Sequence, residues 1–441
     1  MLLQGITALD GSRHMTAITN IYRSALLATC LVGGTACAED KLAKEPLATP
    51  TQSTTAPAAP LSTAEPVSSA LIDMELVKLV DMPLPSFSVD AAWPNMPEDQ
   101  IIGQVPGLAI DKDDNVWIVQ RPNSLTKFDN GAAQDPPIAL CCKPAPHVIQ
   151  FSPAGDILQA WGGEAHAPTI DGVNQWPASV HGIFVDDEMI VWIGGNGDGD
   201  HIVSGFSTSG EYKQSVGKRG ATGGNADPST LGNPADMTHD PETGHLLIAD
   251  GYINKRVIGF NSKTDDFLTY WGAYGASPDG EAREGSFDQS MASSNNDGGA
   301  NPDAEAFGDI VHCIEQSPTG DILVCDRRNN RIQLFRPDET GGYSFVKNII
   351  IAPETGGTRT ASDLAFSPDG AFMYVADMMN SVVWILDADS HEILGRFGRI
   401  GRYPGQFTWL HSVEVDSQGN LYTSEVGTGR RVQKFVFAGL Q

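Results

Sequence analysis

Positive charge is what this chain has least of. Against 55 Asp and Glu it carries 28 Lys and Arg, a formal net charge of −27 over 441 residues. There is no basic stripe to replace the counterions of a phosphate backbone, which argues against nucleic acid as a partner. Histidine is scarce, at 10 residues, and cysteine scarcer, at 6. The chain contains no Ser/His/Asp triad signature, no P-loop and no CxxC pair. The acidic surplus itself reads as a soluble surface in an aqueous compartment. What the chain has in quantity is turn-forming residues: 47 Gly and 28 Pro, as expected of many short strands joined by tight turns.

The N-terminus reads as an export signal. From Met15, read as the true start, Arg23 precedes an apolar stretch (SALLATCLVGG) and then TACAED. That is a charged region, an apolar region too short to span a bilayer as a mature helix, and a small-residue cleavage site after Ala38. Cys37 is an alternative site for a lipid anchor, the one route to a membrane, although Gly34 stands where such sites usually have Leu. Residues 1–38 are therefore assigned as signal peptide and the mature protein as periplasmic or secreted. Residues 39–75 are rich in Ala, Pro, Ser and Thr, bury too little to offset ordering entropy, and are assigned as a tether.

One pattern recurs six times in residues 76–441: a short apolar strand, a turn with Asp or Ser, and a second strand ending in a small residue and an acid. It reads PGLAIDKDDNVWIVQR from Pro106, VHGIFVDDEMIVWIGG from Val180 and PADMTHDPETGHLLIADGY from Pro234. It returns as IVHCIEQSPTGDILVCDRRNNRIQLF from Ile310, ASDLAFSPDGAFMYVADMMNSVVWIL from Ala361 and LHSVEVDSQGNLYTSEVGTGRRVQKF from Leu410. A third strand follows (RIQLF, RVQKF), and often a fourth (GDILQAWG, DFLTYWG, HEILGRFG). Four-stranded units in radial repetition predict an all-β six-bladed propeller, with MELVKLVDMPLP as the strand that closes the last blade. A β-sandwich is the competing architecture. Residues 276–304 are polar, unlike a blade, and read as a mobile loop, with a lid over one face as the alternative.

Aligning the hairpins on Asp111, Asp186, Asp240, Ser317, Ser367 and Asp416 brings a second regularity. Five positions earlier stand Pro106, His181, Ala235, His312, Ser362 and His411. Histidine occupies alternate blades, about 120° apart in a closed ring, so three imidazoles converge on the axis as a metal ion requires. Polar filling of single strand starts is the bland alternative. Three neutral nitrogens with one open position favour zinc. The second strand of each hairpin runs back to the same face, where Arg121, Arg327 and Gly251–Tyr252 follow it. Two guanidiniums beside a cation predict a small-molecule or peptide substrate with a carboxylate. The next row holds Asp236 and Asp363, read as acceptors for neighbouring strands in preference to a second cation site. Cys313 and Cys325 are equidistant from Thr319 and should face each other across the hairpin as a disulfide; for adjacent Cys141 and Cys142 both a bridge and free thiols stay open.

These strings resemble NHL-repeat propellers, in particular the peptidyl-α-hydroxyglycine α-amidating lyases, over about residues 100–437. VHCIEQSPTGDILVCDRRNNRIQLF, LIADGYINKRVIGF and LHSVEVDSQGNLYTSE carry the resemblance. It implies zinc held by His181, His312 and His411, a catalytic tyrosine at Tyr252, and active-site arginines at Arg121 and Arg327. The implied reaction cleaves the C–N bond of a peptidyl-α-hydroxyglycine to an amide and glyoxylate. Tyr252 would take the hydroxyl proton, and the arginines would hold the carboxylate and favour the phenolate. Family members with a structural calcium carry an acid directly after the last histidine; Ser412 stands here, which leaves calcium open, and the 276–304 insert and the CCKP segment also depart from the family. Two other classes remain beside this lyase. One is a metal-dependent lactonase-type hydrolase, which would need channel-lining acids and Asn as ligands. The other is a non-catalytic propeller that binds peptide or glycan.

Overall fold

The computed structural model describes residues 71–240, 243–278, 300–308, 310–355 and 359–441. The signal peptide, Cys37, nearly all of the tether and most of the 276–304 insert lie outside them.

Each repeat folds as the turn chemistry dictates. Asp111 caps its hairpin by accepting from the backbone N–H of Asp113 and Asn115, and its second oxygen takes the Trp117 indole N–H at 2.8 Å. Asp186 does the same for Trp192 at 2.9 Å, and Asp416 for the Tyr422 hydroxyl at 3.0 Å. The turn residue thus satisfies the local backbone and ties down the large aromatic of the second strand, both buried.

Six antiparallel blades result among the described residues. The first blade comprises Gln104–Ile110, Val116–Arg121, Val148–Phe151 and Ile157–Trp161, and the second Val180–Val185, Val191–Gly195, Ile202–Phe206 and Tyr212–Gly217. The third runs from Asp236–Asp240 to Phe267–Trp271 and the fourth from Val311–Gln316 to Tyr343–Ile350. The fifth runs from Asp363–Phe366 to Ile393–Phe397, and the sixth is built on Leu410–Val415, Leu421–Glu425 and Val432–Leu440. First strands of successive blades lie side by side around the axis, and apolar side chains fill the wedges between sheets, as where Cys313, Leu323 and Ile332 of the fourth blade meet Leu364, Met373 and Val375 of the fifth.

Ring closure differs from expectation in one respect. The outer strand of the sixth blade is Pro85–Asp90, in register with Phe87 opposite Phe437 and Val89 opposite Phe435. Within MELVKLVDMPLP, Leu76–Lys78 instead joins the fifth blade as an added edge strand, with Leu76 opposite Phe397. Burial explains the choice: Pro85–Val89 is buried throughout, whereas Leu79 and Met82 are exposed. Leu71–Asp73, inside the span assigned to the tether, pairs with Pro85–Asp90, so the ordered sheet starts earlier than composition indicated.

In the third, fourth and sixth blades the acid that ends the second strand is structural. Asp250 accepts from the Gly232 N–H and the Arg256 guanidinium, and Asp326 from Gly308 and Arg331. Glu425 does the same with Thr408 and Arg431. One carboxylate thereby staples the entry loop of a blade to its third strand. Both members of the Asp326–Arg331 pair are fully buried at 2.8 Å. Removing one partner strands the other's charge, at about 3–5 kcal/mol. Arg331→Met should therefore lower the unfolding free energy by about that much in urea titration; a loss below ~1 kcal/mol would show that Asp326 is satisfied without the arginine.

Candidate metal centre and active site

The three histidines sit where their strands leave the regular ladder. Pairing with the second strand slips between Val180 and Ile183, between Val311 and Ile314, and between Leu410 and Ser412. The first blade shows the same slip around Pro106, whereas the third and fifth run in unbroken register. A bulge rotates the side chain it contains out of the pleat. Here it brings His181, His312 and His411 together at one level. Their ring centroids lie 4.7–5.1 Å apart, and one ring nitrogen of each falls within 4.8 Å of the others.

The intervening blades orient the rings. His181 Nδ1 lies 2.6 Å from the Ala235 carbonyl, and His312 Nδ1 lies 2.6 Å from that of Ser362. His411 Nδ1 lies 3.4 Å from the Ser412 hydroxyl, which in turn donates to the Pro106 carbonyl at 3.1 Å. Ala235, Ser362 and Pro106 are the residues that share the histidines' row in the alternate blades. The Ala235 and Ser362 carbonyls take the Nδ1 protons of His181 and His312, and the Ser412 hydroxyl, itself donating to Pro106, takes that of His411, which leaves each Nε2 as a lone-pair donor. Glycine permits the approach: a Cβ on Gly182 would stand 2.6 Å from the Ala235 oxygen. Burial first, then the Arg121 and Arg327 charges, hold His181 well below the usual imidazole range; burial likewise leads for His312 and His411. His312 Nε2 is buried without a partner. Neutral, tautomer-fixed imidazoles with one orphaned nitrogen fit a divalent metal ion.

Tyr252 lies against this trio. Its hydroxyl is 2.6 Å from His181 Nε2, and its ring meets the His181 ring edge-on at 4.8 Å. It follows Gly251, whose hydrogen is all that fits, since a Cβ there would lie 2.0 Å from the Val311 carbonyl. Arg327 is buried and hydrogen-bonded to Tyr252, and burial brings its guanidinium down to about 10. Arg121 is fixed from three sides, donating to the Val180 carbonyl at 2.8 Å, to Asn196 at 2.9 Å and to Gln104 at 3.2 Å. The structure therefore gathers all six residues singled out in the sequence on one face. It adds Arg359, a third cation facing Tyr252 and Arg327. Arg359 lies outside the hairpin alignment, three residues before Ser362. The signal was there in the loops leading into the row, from which Trp409 also comes.

Toward the hairpin turns the channel is acidic. Asp236 accepts from the Ile314 N–H at 3.2 Å and Asp363 from the Val413 N–H at 3.0 Å, the strand-bridging role expected of them. Glu315 and Glu414 follow. Among the described residues, the histidine trio is the group of three or more His, Cys, Asp or Glu close enough to share an ion. Both disulfides are formed, Cys313–Cys325 and Cys141–Cys142.

A family model described as "Lactonase, 7-bladed beta-propeller" matches residues 281–429, although the blades among the described residues number six. The human NHL repeat-containing protein 3 is 26% identical over 360 residues, spanning 79% of this chain and 84% of that protein. The chain resembles NHL-repeat proteins. Peptidyl-alpha-hydroxyglycine alpha-amidating lyase 1 of Drosophila melanogaster is 24% identical over 399 residues, 84% of this chain and 62% of that one. The rat peptidylglycine alpha-amidating monooxygenase is 24% identical over 206 residues, 46% of this chain and 18% of its own length. NHL-type propeller architecture and likeness to amidating enzymes thus coincide with a histidine trio able to hold a metal.

The channel acids make stability fall with pH. Burial, then repulsion from Asp236, pushes Glu315 up to about 8, and burial takes Asp236 to about 7. With the folded values above an unfolded value of about 4.3, the native state holds more protons between those limits, so stability is lost as pH rises from about 4.5 to 8. Glu315→Gln should be more stable than the parent by upwards of about 1 kcal/mol above pH 8, with the gap closing below pH 4.5. Denaturation at the two pH values checks this, and a pH-independent gap would contradict it.

Proposed function

We propose that the protein is an exported zinc-dependent lyase that cleaves the C–N bond of a peptidyl-α-hydroxyglycine-like substrate. The observation behind it is the set of three neutral imidazoles, each locked through Nδ1, with Tyr252 and Arg327 directly against them. Zinc in that trio would supply Lewis acidity toward the substrate hydroxyl. His181, His312 and His411 would hold it through Nε2.

The chain's own part is positioning and proton transfer. Arg327 and Arg121 hold the substrate carboxylate, Arg121 from a guanidinium whose orientation three hydrogen bonds already set. Tyr252 takes the hydroxyl proton as the C–O bond becomes the aldehyde of glyoxylate and the C–N bond breaks. The departing amide nitrogen needs one proton, the same number that the hydroxyl gives up, so the reaction consumes none overall. The guanidiniums stabilise the negative charge gathered on carboxylate and oxygen. Burial of the cluster excludes competing water.

The family-model match supports a second reading, a metal-dependent lactone-opening hydrolase. The two separate on products. Purified protein should contain about one zinc per chain, lost in the His181→Ala/His312→Ala double variant, by elemental analysis; a metal-free parent protein would overturn both metal-dependent readings. On α-hydroxyhippurate it should release glyoxylate and benzamide, and Tyr252→Phe should slow that release by about 10²–10⁴ with zinc retained. Full activity in Tyr252→Phe removes it as the base, and lactone hydrolysis without glyoxylate release favours the hydrolase.

A further inference from the structure

Beside Tyr252 the site opens into a depression whose wall is built differently from the rest. Its floor carries Arg359, buried to 6% exposure, in a left-handed backbone conformation at φ 81° that a non-glycine residue rarely adopts. Its backbone is pinned to the centre at two points: its N–H donates to the Arg327 carbonyl at 3.0 Å, and its own carbonyl accepts from the Ser362 hydroxyl at 3.3 Å. Ser362 is the residue whose carbonyl orients His312. The guanidinium lies 5.3 Å over the Trp409 ring, and Trp409 stands two residues before His411. Arg359 Nε is buried with no hydrogen-bond partner. A strained, desolvated cation with a free N–H is costly unless something outside the chain accepts from it.

The rest of the depression is mainly apolar. Met378, Met379, Ile400 and Trp409 line it with Arg359, Ser381 and Thr408. Met379, Ile400 and Trp409 leave 39%, 74% and 41% of their surface exposed. Large apolar side chains clustered in the open beside an unsatisfied donor mark a binding surface.

We propose that this wall is the acyl subsite of the enzyme: it takes the group on the amide side of the scissile bond, with an apolar or aromatic acyl chain against Trp409 and the methionines and the acyl carbonyl on Arg359 Nε. The assignment rests on the lyase reading for which end of the substrate lies here, since Arg121 and Arg327 take the carboxylate end. It defines a substrate class. N-acyl hydroxyglycines with bulky apolar acyl groups are preferred over small ones, and Arg359, Arg327 and Arg328 together repel cationic acyl groups.

The test uses unreactive N-acylglycines, so that it reads binding apart from chemistry. Isothermal titration of the zinc-loaded full chain should show hippurate binding about tenfold or more tighter than N-acetylglycine, and 4-(aminomethyl)hippurate weaker than hippurate. Trp409→Ala, a partly exposed position, should reduce the hippurate preference to within about threefold. Arg359→Lys, which keeps the charge but loses the Nε–H, should weaken hippurate by about tenfold; Arg359→Met serves the same purpose if the lysine variant melts early. Equal binding of hippurate and N-acetylglycine, no binding of either, or an undiminished preference in Trp409→Ala overturns the subsite. Glyoxylate release is scored separately. Acyl preference without glyoxylate overturns the lyase and keeps the subsite, while glyoxylate without acyl preference does the reverse.

Discussion

An imidazole whose Nδ1 proton is held by a fixed acceptor can neither flip nor change tautomer, and the arrangement of this face depends on that happening three times. His181 and His312, of the second and fourth blades, are held by carbonyls of the third and fifth, and His411 of the sixth by the Ser412 hydroxyl, which is tied to the Pro106 carbonyl of the first. Each ring's anchorage therefore crosses a blade boundary. The relative rotation of neighbouring sheets, set by the apolar wedges between them, is what places a carbonyl within 2.6 Å of His181 and of His312. Loosening that packing would misalign a ligand before it unfolded a blade.

Charge is sorted along the axis as well as around it. Guanidiniums of Arg121, Arg327 and Arg359 gather at the mouth, neutral imidazoles lie beneath them, and carboxyl groups of Asp236, Glu315, Asp363 and Glu414 line the channel toward the turns. Burial alone lowers a guanidinium's pKa and raises a carboxyl's, and here it does both within one channel. The arginines also depress the histidines, keeping them in the form a metal requires. A cationic mouth on a chain with net charge −27 is a local inversion of the charge of the chain at large.

The blade count and the histidine row were legible because hairpins with fixed turn chemistry make a reliable ruler: Asp111, Asp186 and Asp416 mark the same atom-level role in three blades. What that ruler could not measure lay between hairpins. The choice of closing strand between MELVKLVDMPLP and the next segment turned on burial of Pro85–Val89, which local periodicity does not reveal. The bulges at the histidines are differences of one residue in pairing, invisible until both strands are seen. The carbonyl acceptors are backbone atoms, so Pro106, Ala235 and Ser362 looked like gaps in a pattern when they are half of it. Arg359 sits on a loop whose path depends on the Arg327 carbonyl it meets.

Pairing Pro85–Asp90 with Val432–Leu440 also imposes an order in time. Five sheets are made of consecutive strands and can assemble from local hairpins as the chain lengthens, Leu76–Lys78 adding to the fifth afterwards. The sixth cannot, because its outer strand is among the first folded residues to be synthesised and its partner is among the last. Closing so long a loop adds little free-energy cost, since each doubling of length costs only about 0.6 kcal/mol, but it adds greatly to the search. His411 belongs to that last sheet, and the Pro106 carbonyl that fixes its Ser412 partner belongs to the first. The third imidazole therefore falls into place only when the ring shuts, which makes the histidine trio the final part of the molecule to exist.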